Sequence, residues 1–188
     1  MVAHFGTAAV AGFGVSTRIE SLCLLVAFAL SSTLPMFIGQ NIGAGKPERA
    51  RIALFGAIRF CLLFQLIIWL VIAFLGHRIG AIFSPHPDVA AIIESYLWIV
   101  PASHGAHAVI ILVMVSLNAI KRPKTALLTA LMRLALLNLP LAFIGGQLYG
   151  IIGLFSGFAL GNVLSAIFAW RIINKAWAEH LTTPCKIA

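Results

Sequence analysis

The sequence predicts an all-α fold, a polytopic membrane bundle of five transmembrane helices. Hydrophobic residues make up 61% of the chain, charged residues make up only 10%, and the mean hydropathy is +1.04. Soluble globular domains are about 45–50% apolar and about 25% charged. The apolar residues form long runs, and the basic residues are concentrated in the short segments between them. A water-soluble domain of this composition would lack a polar surface, so we exclude soluble fold classes.

The first predicted span covers residues 8–38 and has Arg18 and Glu20 in its first half. Crossing about 30 Å of hydrocarbon takes roughly 20 helical residues, so we expect this long run to tilt or to begin above the membrane. The polar, glycine-rich and basic residues 39–51 follow as a predicted tight turn at a membrane surface. This turn lacks the spacing of a phosphate-binding loop and follows an apolar helix, so nucleotide binding is not expected.

The second predicted span covers residues 52–75, in which Arg59 is close enough to the preceding turn for its side chain to reach the headgroups. The connector at residues 77–89 contains two prolines, which argues against a continuous helix. The aromatic residues Tyr96 and Trp98 are expected at the membrane interface.

The remaining predicted spans cover residues 89–118, 125–144 and 151–173. Pro101 should kink the third span, and the uncharged segment 145–150 should be a tight turn between the fourth and fifth. Glycines spaced four apart share a helix face and allow close helix packing. The fifth span has such a face, formed by Gly153, Gly157 and Gly161.

Charge is distributed unevenly between the two sets of connecting segments. The net charge is +8, and one set, with the C-terminal tail, contains almost all the basic residues outside the span interiors: Lys46, Arg49, Arg51, Lys121, Arg122, Lys124, Arg171, Lys175 and Lys186. The opposite set contains Arg78. Positive residues in short loops are retained in the cytoplasm, so we expect a multi-pass protein of the plasma membrane, specifically the bacterial inner membrane, with its N-terminus outside and its C-terminus cytoplasmic. Because no signal peptide precedes the first run, we also expect that a preceding span is missing from the chain.

Four motifs carry a resemblance to a known family. They are residues 11–20, Pro35, residues 39–51 and residues 117–123 before the fourth span. In this order, and with five spans, they resemble the second half of a MATE (multidrug and toxic compound extrusion) transporter over almost the whole chain. The family has two six-helix lobes, so the resemblance implies a C-terminal lobe without its first helix. The topology independently indicates the same missing helix.

The resemblance implies a fragment of a secondary active multidrug efflux antiporter that exports organic, often cationic, compounds in exchange for Na⁺ or H⁺ by alternating access. The implied partners are the lipid bilayer, a small organic substrate and the missing N-terminal lobe, with no cofactor besides the coupling ion. We do not expect nucleic-acid binding, because the basic residues lie in short clusters between apolar runs. We do not expect an enzyme either, because the sequence has no catalytic motif.

Glu20 is the first candidate for binding the substrate or the coupling ion, because it is the one acidic residue inside a span and away from a loop. Ionisable groups inside the membrane are costly and often functional, and a carboxylate can bind an organic cation or carry a proton. The alternative is a structural pair with an arginine of another helix, or a position in the wet outer end of the long first span.

His104, His107 and Asn118 are further candidates, since spacings of three and eleven residues place them on one helix face. This stripe would line a cavity, and a histidine would accept a proton near neutral pH. The alternative is that both histidines bond to backbone groups freed by the kink at Pro101. No third metal ligand accompanies them, so a zinc site is not expected.

Arg133 and Gln65 complete the candidate set. Arg133 lies about 12 Å into the fourth span, too deep for easy contact with headgroups, so it should meet Glu20 or a carbonyl, most simply as a structural salt bridge. Gln65, near the centre of the second span, more often joins helices than binds substrate.

Two other functions remain open at this point. A flippase for lipid-linked glycans of the same superfamily would need cationic residues for phosphate, and Arg18, Arg59 and Arg133 supply them. A non-transporting membrane module that assembles with a partner half is the second. The widely spaced Cys23, Cys61 and Cys185 do not indicate disulfides or a metal site.

Overall fold

The computed structural model describes residues 2–182, and these residues form helices joined by short turns. The predicted all-α fold class is confirmed within this range. Met1, Cys185 and Lys186 lie outside the described residues. A short 3-10 turn at Val2–Phe5 comes first. The helices that follow are α1 (Thr7–Cys23), α2 (Leu25–Gly43), α3 (Pro47–Phe83), α4 (Pro87–Ile99), α5 (His104–Ala119), α6 (Pro123–Leu131) and α7 (Leu139–Thr182).

Three helix irregularities occur inside the predicted spans. Leu24 separates α1 from α2, a 3-10 turn at Pro101–Ser103 separates α4 from α5, and a wide π-helical turn at Met132–Asn138 joins α6 to α7. The turn at Pro101 is the kink that the sequence predicts. The π-helical turn comes directly before Pro140, whose ring conflicts with the carbonyl one turn earlier and whose nitrogen donates no hydrogen bond.

The turn between α2 and α3 and the turn between α5 and α6 share one geometry, and we call them the basic turns. Each contains one residue in the left-handed region, Gly45 at φ 71° and Lys121 at φ 60°. Each ends at a proline that begins the next helix, Pro47 or Pro123, since the fixed φ of proline and its missing N–H are tolerated in a first helical turn. The two turns therefore reverse the chain sharply between long apolar helices.

The connector after the second span is shorter than the sequence predicts. Helix α3 continues to Phe83, and the extended segment is limited to the residues around Pro85, between Ser84 and His86. The physical reason is that both prolines lie beyond Phe83, so neither removes a hydrogen bond from the last turns of α3.

Helix α7 folds back on itself at Tyr149 and Gly150, whose backbone angles are not helical. Its two arms, residues 139–148 and 151–182, are antiparallel, because Gly153 faces Gly145 and Gly157 faces Leu141. A Cβ added to Gly153 or Gly157 would overlap a backbone carbonyl of the opposite arm. The glycine face predicted from the four-residue spacing therefore forms this helix contact.

The described residues contain four helical segments long and apolar enough to cross a membrane, namely Leu25–Gly43, Pro47–Gly76, Pro87–Ala119 and Pro123–Glu179. The last is the folded hairpin, so it supplies two passes. Large apolar side chains cover the outside of the bundle, among them Leu63, Phe74 and Ile167. Such a surface is suited to lipid.

Two apolar clusters form the core. The first includes Leu54, Leu112 and Ile173 and contains residues next to both basic turns. The second, at the other end, includes Ile93 and Phe155. Arg122 also pairs with Glu179 near the end of α7 at 2.6 Å. Both basic turns and the end of α7 therefore lie at one end of the bundle.

Gln65 lies between the two apolar clusters and joins α3 to the break at Leu24. Its side chain is buried, and its Nε2 donates to the Cys23 carbonyl at 2.8 Å. This is the helix-joining role that the sequence favours over substrate binding.

We expect Gln65→Leu to lower the free energy of unfolding by about 1 kcal/mol, the scale of one interhelical hydrogen bond in a membrane protein. The measurement is the unfolding midpoint in mixed detergent micelles. The matched control is Gln40→Leu, since Gln40 is exposed on α2 and should show no loss. Equal midpoints for wild type and Gln65→Leu would contradict a joining role.

Candidate functional site

A layer of buried polar side chains separates the two apolar clusters, and we call it the polar layer. It lies where the long helices are irregular, next to the break at Leu24, the turn at Pro101–Ser103 and the π-helical turn. Irregular backbone at membrane depth is tolerated where it is enclosed by protein, and such places commonly carry the binding groups of transporters. The layer consists of Glu20, Gln65, Tyr96, Ser103, His104, His107, Arg133, Asn138 and Asn162.

Glu20 is at the centre of one part of the polar layer. It lies one turn before the end of α1, and its side chain is 15% exposed. The Tyr96 hydroxyl of α4 donates to Glu20 Oε2, and His104 Nε2 of α5 lies 3.5 Å from Glu20 Oε1. At that distance the histidine and the carboxylate are a close ionisable pair rather than a well-formed hydrogen bond. Three helices thus converge on one carboxylate.

The tyrosine that donates to Glu20 is packed between two other aromatic rings. Tyr96 is 2% exposed, and it packs edge to face against Phe13 at 5.8 Å and Phe155 at 5.0 Å between ring centroids. The predicted interfacial position of Tyr96 is therefore wrong. Its hydroxyl finds its polar partner in Glu20 instead of in water, as a buried tyrosine requires.

The two histidines do not bond to backbone groups freed by the kink. His104 is fully buried, and neither of its ring nitrogens makes a hydrogen bond. The Nδ1 of His107 is buried without a partner too, and His107 is close enough to Glu20 and Arg133 for electrostatic interaction. Buried nitrogens without a hydrogen bond are costly, so these rings are available to bind a polar group.

Asn118 does not belong to this site. It is exposed at the last turn of α5, and its carbonyl accepts from Lys121 N–H of the basic turn at 3.1 Å. A helical rise of 1.5 Å per residue places it about 21 Å from His104. The three residues of the predicted stripe, His104, His107 and Asn118, do lie on one helix. Only the two histidines belong to the polar layer, because Asn118 lies beyond it.

Arg133 contacts an asparagine rather than Glu20. Its Nη2 donates to Asn162 Oδ1 at 3.5 Å, and among the described residues no carboxylate lies within ion-pair distance of it. Of the two predicted partners, Glu20 is therefore wrong as a salt bridge, although the two charges are near enough to interact, and the alternative of a carbonyl is met by the amide oxygen of Asn162. The reason is that the π-helical turn directs Arg133 towards the second arm of α7.

Asn162 connects the second part of the polar layer. Its Oδ1 also accepts from Asn138 Nδ2 at 3.2 Å, and its Nδ2 donates to Ser103 Oγ at 3.2 Å. Ser103 directly precedes His104, so the asparagine network adjoins the Glu20 cluster. The layer therefore forms one continuous arrangement of a carboxylate, two imidazoles, a guanidinium and amides.

The sequence prediction missed four residues of the polar layer, namely Tyr96, Ser103, Asn138 and Asn162. The sequence contains a weak signal for Asn162, because it is an amide inside an apolar run and follows Gly161. In the structure the opposite arm of α7 approaches closely at Gly161. Tyr96 has no local signal that distinguishes it from an interfacial tyrosine. Its role depends on the contact between α1 and α4, residues 76 positions apart.

Comparison with known proteins gives a consistent set of relatives. The MatE family model matches residues 1–144. The FAD transporter of Shewanella oneidensis is 38% identical over 93% of this chain and 39% of its own length. The probable multidrug resistance protein NorM of Bacillus licheniformis is 24% identical over 93% of this chain and 40% of its own length.

Solved structures agree with the sequence relatives. The bent form of the Vibrio cholerae MATE transporter VcmN superimposes with a TM-score of 0.92 at 34% identity, covering 95% of this chain and 41% of that one. The chain thus spans about two fifths of the length of the relatives it matches. These findings do not favour the glycan flippase or the non-transporting module.

Proposed function

The chain belongs to the MATE family of membrane transporters, proteins that are not enzymes, and from this premise we propose that it is part of a proton-coupled exporter of organic compounds. It would work by alternating access together with an N-terminal lobe, since this chain spans about two fifths of the length of its relatives. We further propose that the basic turns face the cytoplasm of a bacterial inner membrane, because positive residues in short loops are retained on that side.

The observation that carries this proposal is the Glu20 cluster. The carboxylate contacts the side chains of Tyr96 and His104, and the Tyr96 ring is itself packed against Phe13 and Phe155. A carboxylate held inside the bundle in this way can bind and release a proton. We therefore assign Glu20 to coupling, with the substrate bound elsewhere in the cavity between lobes.

A proton fits the cluster better than Na⁺ does. A hard metal cation prefers several oxygen ligands, whereas the groups around the Glu20 carboxylate are a tyrosine hydroxyl that donates to it and the imidazole of His104. Among the described residues, the other charged or titratable groups near Glu20 include Cys23, His107 and Arg133. The cluster therefore offers one carboxylate with a single donating hydroxyl, which is too few oxygen ligands for Na⁺.

Protonation of Glu20 would favour one conformation over another. The ionised carboxylate attracts the hydroxyl of Tyr96 and the imidazole of His104, which joins α1 to α4 and to the start of α5. A neutral carboxyl loses that attraction, so the relative stability of two helix arrangements changes with proton occupancy. A ligand shifts such an equilibrium only if its affinity differs between the two states. The proton would meet this condition, because its affinity for Glu20 would differ between the two helix arrangements.

A flavin dinucleotide is a second candidate substrate besides organic cations. The relative at 38% identity over 93% of this chain is named a FAD transporter. Arg18 is exposed on α1 within the first predicted span, and Arg133 is a second guanidinium, half-buried in the polar layer. Guanidinium groups bind phosphates bidentately, so an anionic dinucleotide suits these residues better than a cation does.

Everted membrane vesicles test the proposal. The protein is expressed from its gene with all in-frame coding sequence, and uptake of FAD and of ethidium is measured with a pH gradient that is acidic inside. We expect uptake that a protonophore abolishes and that an imposed Na⁺ gradient does not restore. Uptake driven by Na⁺ alone would contradict proton coupling, and the preferred compound would decide between the two substrate classes.

A further inference from the structure

A cleft with two arginines opens at the end of the bundle where the basic turns lie. It is formed between α3 and the second arm of α7 and has a volume of about 520 Å³. Arg51 and Arg59 line it from α3, together with Phe55, and Trp170 and Asn174 line it from α7. None of these residues belongs to the polar layer.

The cleft extends from the membrane surface into the hydrocarbon. At 1.5 Å per residue, Arg51 lies about 6 Å from the first residue of α3 and Arg59 about 18 Å from it. The neighbouring side chains Ile52, Phe60 and Leu63 are exposed, with Ile52 69% exposed. Such apolar neighbours face acyl chains in a membrane, so the cleft opens to lipid as well as to the headgroup region.

Arg59 has no ion-pair partner in the part of the chain that the structure describes. Its side chain is exposed. Glu48 also lines the cleft, but it lies near the start of α3, about 16 Å from Arg59 along the helix axis. A charged side chain at this depth is costly unless it extends towards the headgroups and meets an anion there.

An aromatic pair fixes the position of the second arginine. The Arg51 guanidinium lies over the Phe55 ring at 5.6 Å, and the Phe55 ring packs edge to face against Trp170 at 5.1 Å. Arg51, Phe55 and Arg59 follow one another at intervals of four, so they form a stripe along α3. The stacking leaves the N–H groups at the edge of the Arg51 guanidinium available to an anion.

We propose that this cleft binds an anionic phospholipid of the bilayer. The headgroup phosphate lies between Arg51 and Arg59, and the acyl chains follow the exposed apolar face of α3. Phosphate oxygens match the planar fork of a guanidinium, and basic pockets between transmembrane helices are suited to anionic headgroups. The lipid would stabilise the contact between α3 and α7 without taking part in transport.

Native mass spectrometry of the chain extracted from nanodiscs tests the proposal. The nanodiscs contain equal parts of phosphatidylglycerol and phosphatidylcholine. We expect wild type to retain phosphatidylglycerol preferentially, and Arg59→Gln to lower the retained fraction about fivefold, the factor that corresponds to about 1 kcal/mol per basic residue near an anionic surface. Arg51→Gln should have a similar effect, and the double substitution a larger one.

Arg78→Gln is the matched control. Arg78 is exposed on the same helix at the opposite end of the bundle, so its removal should leave lipid retention unchanged. Inorganic phosphate in the buffer should not displace the lipid. Equal retention of the two lipids by wild type, an unchanged ratio in Arg59→Gln at normal helix content, or displacement by inorganic phosphate would each overturn the proposal.

Discussion

Replacing Glu20 by glutamine is expected to reduce proton-driven export to the level of vesicles without the transporter. Glutamine has almost the same size as glutamate, and its carbonyl oxygen still accepts the hydrogen bond from Tyr96. It cannot ionise, however, so proton binding no longer changes the attraction between α1 and His104. The fold should survive, because glutamine keeps the shape of the side chain and the hydrogen bond from Tyr96, and normal expression and helix content of the variant check this.

Two further variants make this result specific. Asp88→Asn removes an exposed carboxylate at the start of α4 and should leave export unchanged. Tyr96→Phe keeps the aromatic packing but removes the donor to Glu20, so it should shift the pH dependence of export rather than abolish it. Proton-driven uptake at the wild-type rate in Glu20→Gln would remove Glu20 from the coupling mechanism.

The sequence predicts the helices because their signals are local. A run of apolar residues long enough to cross a membrane, followed by a basic turn with proline, defines a helix and its end without reference to the rest of the chain. The same holds for the glycines at 153, 157 and 161, whose spacing of four already indicates a close helix contact. Glu20, Gln65, His104 and Arg133 are equally visible, because each is a polar residue in an apolar run.

Partner identity could not be predicted in the same way. Arg133 contacts Asn162 rather than Glu20 because a wide helical turn precedes Pro140, and the direction in which that turn points Arg133 depends on the opposite arm of α7. The break at Leu24 has no proline or glycine next to it, and the contact that accompanies it comes from Gln65, 42 residues after Cys23. Contacts of this kind follow from the packing of whole helices.

The glycine contact in the α7 hairpin gives the largest expected effect on stability. A Cβ at Gly157 would overlap the Leu141 carbonyl oxygen and lie 3.0 Å from Ala142 Cα. Both neighbours are backbone atoms that cannot rotate away, so the arms must separate. We expect Gly157→Ala to lower the free energy of unfolding by about 3 kcal/mol, the upper part of the range for overpacking, measured by unfolding in mixed micelles.

Gly39→Ala provides the control, because Gly39 lies inside α2 with nothing within 4 Å of an added Cβ. Alanine is favoured over glycine inside a helix by roughly 1 kcal/mol, so this variant should be unchanged or more stable. An equal gain in Gly157→Ala would mean that the arms of α7 do not touch there.

The facing pair Gly145 and Gly153 tests the same contact from both sides. A Cβ on either residue overlaps the carbonyl oxygen of the other, so each single alanine substitution should destabilise the hairpin. Once one alanine has forced the arms apart, the second meets a wider gap, and the double variant should lose clearly less than the sum of the two single losses. Strict additivity would place the two glycines in separate environments and contradict the antiparallel contact that holds Asn138 against Asn162 in the polar layer.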